Sequence, residues 1–246
     1  MTWKDRLARY PLYTAQHVVP YGRWFRELRA YHRGSFTPDE FWVRYTLSRH
    51  IAATLWSAYA RQSEKDRRAF YNESDFWLYR QAYVHRRSTF YWILDALPGP
   101  WFCEYGCGIA PVSAWLARRR NLLYTLVDLP SAMFDFAKWR MKGAEALIPG
   151  YGHDYPLTKA YDGIACLDVL EHVPDPLTLV KHLVVHLAPG GVLFVNFRAG
   201  EAGEENLESA AAQRGDVLDY LYYTLTPVRP ITRERDEPHA VYRKTL

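Results

Sequence analysis

Apolar residues recur at helical spacing up to Leu97 and in short strand-like runs beyond it, with Pro98-Gly99-Pro100 punctuating the change. Before that break, Thr37-Pro38-Asp39-Glu40 reads as a helix start: a capping hydroxyl, proline at the first helical position and early acids facing the dipole. Phe41, Tyr45, Ala52, Leu55, Trp56 and Tyr59 then share one face. Ser63 caps a short following helix. A longer one, from about Ser74 to Leu97, carries Phe76, Tyr79, Tyr83, Phe90, Ile93 and Leu97 along a stripe. Residues 1–97 are expected to form one helical region and residues 98–246 an α/β core.

Past Pro100 strands alternate with helices, the pattern of a parallel sheet wound on both faces. Trp101-Phe102-Cys103 is a buried strand, and a helix follows Pro111. Leu122–Leu129 is the second strand. Pro130 breaks it, and Ser131 caps a helix reaching about Leu147. A weak third strand is expected near Ile148–Gly152, just before His153-Asp154, and a fourth over Tyr161–Val169. Asp175-Pro176 opens a helix that Ala188-Pro189-Gly190-Gly191 ends, and Val192–Phe197 is the fifth strand, apolar enough to be central. The tail reads as a helix near Glu204–Leu225, then two segments, Ile231–Asp236 and His239–Thr245, able to pair as an antiparallel hairpin.

Between the first strand and its helix stand Glu104, Gly106 and Gly108, a turn that lets backbone approach a ligand closely. A nicotinamide-binding loop has a third glycine, where this chain has Pro111, and it keeps negative charge away from its pyrophosphate. Glu104 suits a cationic ligand better. The run E-Y-G-C-G-I-A from Glu104 to Ala110 resembles the first motif, E/D-x-G-x-G-x-G, of the class I S-adenosylmethionine-dependent methyltransferases, with alanine at the third glycine. C-L-D-V-L-E-H-V-P-D-P, from Cys166 to Pro176, is similar to the family's segment after strand four, and L-A-P-G-G-V-L-F-V-N from Leu187 to Asn196 extends the match. The resemblance covers residues 100–197 closely and the tail loosely, and leaves the N-terminal region out.

This resemblance implies a mostly parallel, seven-stranded, doubly wound sheet, and the N-terminal helical region is expected to cap it and supply the acceptor pocket. It implies S-adenosylmethionine as cofactor, held by Glu104, Gly106, Gly108, Asp128, Leu129, Asp154 and Asp168. Asp128, 20 residues beyond Gly108, is spaced to take both hydroxyls of a ribose, a device that nucleotide-binding folds share. Asp154 matches the acid that meets the adenine amino group, and is also an ordinary turn residue. Leu129 and His153 are candidates to flank the adenine, though the sequence does not place them. Glu171 and His172 form the one acid–base pair of the core: some small-molecule N-methyltransferases use such a pair here, while many relatives carry it structurally. Metal-dependent relatives place acids after strands four and five. Asp168 can serve as the first, but Asn196-Phe197-Arg198 offers no second, so no metal is expected. The N-P-P-Y signature of amino-directed nucleic-acid methyltransferases is absent.

Charge adds a second candidate partner. Residues 1–97 hold 16 Lys and Arg against 9 Asp and Glu, and 22 of the 39 aromatic residues, while the remainder is net acidic. A small or sugar-like acceptor, methylated on oxygen or nitrogen, is the first expectation. A nucleic-acid or protein acceptor on the basic region, or a binding subunit without catalysis, is the alternative. No apolar run approaches the roughly 18 residues of a membrane span. The N-terminus lacks a signal-peptide core, and Cys103, Cys107 and Cys166 read as small core residues, so a reducing cytoplasm is expected.

Overall fold

Five strands lie side by side; those at the centre are buried between helices on both faces, which leaves little of their surface to water, while the outermost is largely exposed. They are β1 (Trp101–Tyr105), β2 (Leu123–Val127), β3 (Glu145–Leu147), β4 (Tyr161–Cys166) and β5 (Leu187–Val195). With β6 (Thr226–Arg229) and β7 (Ala240–Arg243) they make a seven-stranded sheet in the order β3-β2-β1-β4-β5-β7-β6. The first five run parallel, and β7 is antiparallel to both neighbours. The computed structural model describes residues 22–56, 63–73, 75–198, 206–229 and 239–246, with backbone alone for 49–53.

Register sets where chemistry can happen. Leu147, Val127, Tyr105, Cys166 and Val195 are paired in sequence across the sheet, so the five parallel strands end at one level. Every loop that follows them emerges along the same edge. The strand order reverses between β1 and β4, and ligands of open α/β sheets bind at such a switch point.

The N-terminal helices are α1 (Arg23–Tyr31), α2 (Pro38–Leu55), α3 (Glu64–Glu73), α4 (Phe76–Val84) and α5 (Tyr91–Ala96). Those of the sheet region are α6 (Pro111–Leu116), α7 (Ala132–Arg140), α8 (Pro176–Val185) and α9 (Glu208–Thr224). The capping residues do what their side chains suit. Thr37 and Glu40 form a reciprocal capping box at α2, and the Ser63 hydroxyl, Ser131 hydroxyl and Asp175 carboxylate accept amides at α3, α7 and α8. Phe25, Leu28, Phe41 and Trp77 of the N-terminal helices are contiguous with Cys103, Ile164 and Leu193 on one sheet face. Phe102, Ala165 and Phe194, one residue out of phase, bury the other face beneath Phe90, Ile93, Leu97 and Trp115.

Those two cores explain why the expected helix from Ser74 to Leu97 is broken. Trp77 and Tyr79 belong to one sheet face and Phe90 to Leu97 to the other, so the chain must cross over. It does so through a 3-10 turn at His85–Arg87 and an extended Ser88. The third strand is displaced too. α7 ends at Arg140, Gly143 turns with φ +97, and Glu145–Leu147 pairs with β2, aided by a 2.8 Å bond from the Thr125 hydroxyl to Glu145. Ile148–Gly152 is a turn, closed by the Gly150 amide on the Asp154 carbonyl. β5 begins at Leu187, earlier than expected: Ala188–Gly191 is a bulge within the strand, since Tyr161 faces Leu187 while Gly163 faces Val192. The C-terminal hairpin exists with Thr226–Arg229 as partner of β7. Ile231–Asp236, expected as its first strand, lies outside the described residues, as does Tyr59. Cys103, Cys107 and Cys166 are buried free thiols. Among the described residues no helix is long and apolar enough to cross a membrane.

Candidate functional site

A cavity of about 470 Å³ opens at the carboxyl edge, where the loops after β1, β2 and β4 meet helices α3 and α4. Its floor is the glycine turn. Gly106 and Gly108 have φ of +67 and +51, backbone that favours glycine. A Cβ on Gly106 would lie 2.2 Å from Val169 Cγ2, and one on Gly108 2.2 Å from Gln81 Oε1. Ala110, at the usual third glycine, also takes a positive φ, +53, and is fully buried at the start of α6. The turn is held by the Gly106 and Cys107 amides donating to the Val127 carbonyl, at 2.8 and 3.1 Å.

Asp128 follows directly on β2 and lines the cavity. Its carboxylate accepts from the Gly108 amide and, at 2.7 Å, from the Leu129 amide. Burial pushes its pKa up to about 6, against the pull of those two amides. Leu129, Met133 and Leu179 supply apolar wall. Tyr105 and Trp77 line the same space with a buried hydroxyl and a buried indole N–H that have no hydrogen-bond partner among the described residues.

Glu104 is elsewhere. It is 4% exposed, and its two oxygens accept the Val112 and Ser113 amides at 3.1 and 2.7 Å. The carboxylate therefore closes the N-terminus of α6 beneath the turn and is not in the cavity wall. Burial pushes its pKa up to about 7 despite those bonds. Asp168 does line the cavity, at φ +56. Its amide donates to Asn196 Oδ1 at 2.6 Å, Asn196 Nδ2 donates back to its carboxylate at 2.9 Å, and Arg198 Nε lies 2.9 Å away. That network ties the loop after β4 to the one after β5. Asp154 is exposed on the turn that closes Gly150–Gly152, outside the wall, while Gly150, Gly152 and His153 are in it.

Glu171 and His172 share a 3-10 turn, Leu170–His172, which sends them into different surroundings. Glu171 is 3% exposed, with Arg198 Nε at 4.0 Å. His172 is in the cavity wall, its ring edge-on to Trp56 at 6.2 Å.

Four further residues, Gln81, Glu64, Arg67 and Arg68, line the cavity without having been singled out in the sequence. Gln81 of α4 accepts the Ile109 amide at 3.2 Å and so braces the glycine turn from above. Arg68 of α3 pairs with Glu64 and donates to the Pro149 and Gly150 carbonyls, while Glu64 accepts the Gly152 amide at 2.9 Å. The Glu64–Arg68 spacing is legible as a helical i,i+4 pair, but the loop it holds is 81 residues away. Arg67, half-buried in the wall, has its pKa lowered chiefly by burial.

The set fits S-adenosylmethionine: a turn with no room for a Cβ, one buried acid at ribose spacing, unpaired donors and an apolar wall. A profile of the methyltransferase domain matches residues 76–220, more than half of the chain, beginning at the helix that carries Gln81. The ubiquinone biosynthesis O-methyltransferase of Coxiella burnetii is 34% identical over 112 residues, covering 42% of this chain and 47% of that protein. Its namesake from Xanthomonas campestris is 30% identical over 115 residues, covering 41% and 44%. The chain thus spans about half the length of the curated relatives it matches. The magnesium protoporphyrin IX methyltransferase of Synechocystis, solved with bound S-adenosylhomocysteine, superposes on 74% of this chain and all of its own, with a TM-score of 0.54 and 18% identity, a likeness of fold. Glycine turn, strand order and profile agree: the chain belongs to the class I S-adenosylmethionine-dependent methyltransferases.

Proposed function

We propose that this chain transfers a methyl group to an oxygen or nitrogen of a small molecule held in the 470 Å³ cavity, between the glycine turn and the wall formed by α3 and His172. One observation carries the reading: a single cavity is lined by Gly106, Gly108 and Asp128 and also by His172. Bound S-adenosylmethionine supplies a methyl group on a sulfonium, open to in-line attack. Within this reading Asp128 holds the ribose hydroxyls, Leu129 and Met133 face the adenine, and the N-terminal helices roof the acceptor half. Trp56 and Trp77 keep water from the reacting atoms, which leaves positioning as the main source of acceleration. His172 takes the proton that a hydroxyl or ammonium must lose. Arg67 gives the acceptor half a positive side chain, which favours an acceptor bearing a negative group. Oxygen is the favoured target, in line with the two O-methyltransferases named above.

The test begins with radiolabelled donor and a panel of phenols, carboxylates and amino sugars. With an accepted substrate, His172→Gln should slow the single-turnover chemical step about 10²–10⁴-fold, the usual share of general base catalysis. S-adenosylhomocysteine affinity should stay within a few fold, and the acid limb of the pH–rate profile should disappear. A normal chemical step with an unchanged profile would remove the base role. Failure to bind S-adenosylhomocysteine at all would remove the whole reading.

A further inference from the structure

A second cavity, of about 210 Å³, lies behind the glycine turn, between α1, the end of α4 and α6. Ile109 and Pro111 form part of its wall, whereas the methyl-transfer cavity uses Gly106 and Gly108 from the other side of the same turn. Among the described residues five arginines line it, Arg23, Arg86, Arg118, Arg119 and Arg140, against a single carboxylate residue, Glu27. That carboxylate is fully committed: Oε1 takes Arg23 Nε and Oε2 takes Arg140 Nη2, each at 2.8 Å.

Several of the cations are fixed in place. Arg119 lies 3.7 Å over the Trp115 ring and donates to the Trp115 carbonyl at 3.1 Å. Arg86 lies 3.7 Å over the Tyr83 ring and donates to the Tyr83 carbonyl at 2.6 Å. Arg140, its side chain only 14% exposed, donates to the Ile109 carbonyl at 3.1 Å, while its Nε is buried with no partner among the described residues. Arg118 makes no ion pair among the described residues. Burial lowers its pKa first, then the repulsion of Arg23, Arg140 and Arg119. Arginines on a merely solvated face spread apart, but these line one concavity, and backbone carbonyls or Glu27 hold four of them in place, a donor set that suits a planar or tetrahedral oxyanion.

We propose that this cleft is an anion site, separate from the methyl-transfer cavity, for the phosphate or diphosphate group of a small molecule. Its volume is below the roughly 300–1,000 Å³ of pockets for drug-sized ligands, so it takes the charged group and leaves the rest of a ligand outside. Arg140 ties the cleft to the back of the glycine turn, since its guanidinium also holds the Ile109 carbonyl.

Calorimetry on the full chain at constant ionic strength, with sodium diphosphate as titrant, tests the assignment. Saturable binding is expected, and a nucleoside diphosphate should bind as well or better. Arg118→Gln should weaken diphosphate binding about tenfold, the scale of a charge-assisted pair, while S-adenosylhomocysteine affinity and thermal stability stay unchanged. Arg33→Gln, on an exposed turn away from the cleft, should change nothing. No saturable binding, equal response to sodium chloride, or an equal loss in both variants would overturn the site. Binding of mixed-sequence RNA without any response to diphosphate would overturn it in favour of a polynucleotide surface.

Discussion

Asp128 has given both oxygens to backbone amides in a pocket that raises its pKa to about 6. In the binding mode proposed above, ribose hydroxyls donate to the ionised form, so ligand binding should pull that pKa down and expel a proton near pH 6. S-adenosylhomocysteine affinity should accordingly fall as pH drops through about 6, and calorimetry in buffers of different ionisation enthalpy should record proton release of up to about half a proton there. Asp128→Asn should weaken binding by about 1.5–3 kcal/mol and abolish the pH dependence. Proton uptake, or a pH-independent affinity in the parent, would contradict this account. At this scale the sequence was informative where a residue's conformation or placement is local. Gly106, Gly108 and Asp128 stand out because only backbone freedom or a fixed spacing explains them. Glu104 was misleading: its position in the motif suggested a cationic ligand, whereas its oxygens meet the amides of α6. The fourth residue of a strand does not announce which way its side chain is capped.

Among the elements, α3 ties the cavity wall to the loop after β3. Arg68 and Glu64 clamp the 149–152 loop by four contacts to its backbone and to the Tyr151 ring. Arg68→Leu should cost about 1.5–3 kcal/mol, the scale of hydrogen bonds to a charged group. Amide exchange should then quicken in Gly150–Tyr155 and α3 while β1 and β4 keep their protection. Unchanged exchange in that loop would mean the clamp carries no load. Strand and helix alternation was readable because proline and glycine punctuate it. What periodicity missed were elements decided by partners: Glu145-Ala146-Leu147 suits a helix until β2 offers it a ladder, and the stripe of Ser74–Leu97 hid that its two halves bury against opposite faces of the sheet.

Among the described residues the helical and sheet regions share one buried cluster. Phe25, Leu28 and Trp77 are in the same buried cluster as Leu193 and Tyr242. Removing the N-terminal helices would uncover that sheet face, and apolar burial is worth about 25 cal/mol per Å². We therefore expect one cooperative thermal transition, with tryptophan fluorescence, dominated by the helical region, coinciding with far-UV circular dichroism. Two separated transitions would show that the regions are stabilised independently. None of this was legible from composition, which marked residues 1–97 as basic and aromatic but could not say what the aromatic rings pack on.

The place of β7 has a consequence for how the protein is made. It follows β6 in the chain yet lies between β5 and β6, so β5 has no outer neighbour until Ala240 has been synthesised. During that interval a nascent chain carries the long apolar edge of Val192–Val195 open to any other strand in reach. Folding on the ribosome should stall there, with the parallel strands assembled and one flank exposed to chaperones or to aggregation. Inserting the final strand is then the act that seals the sheet.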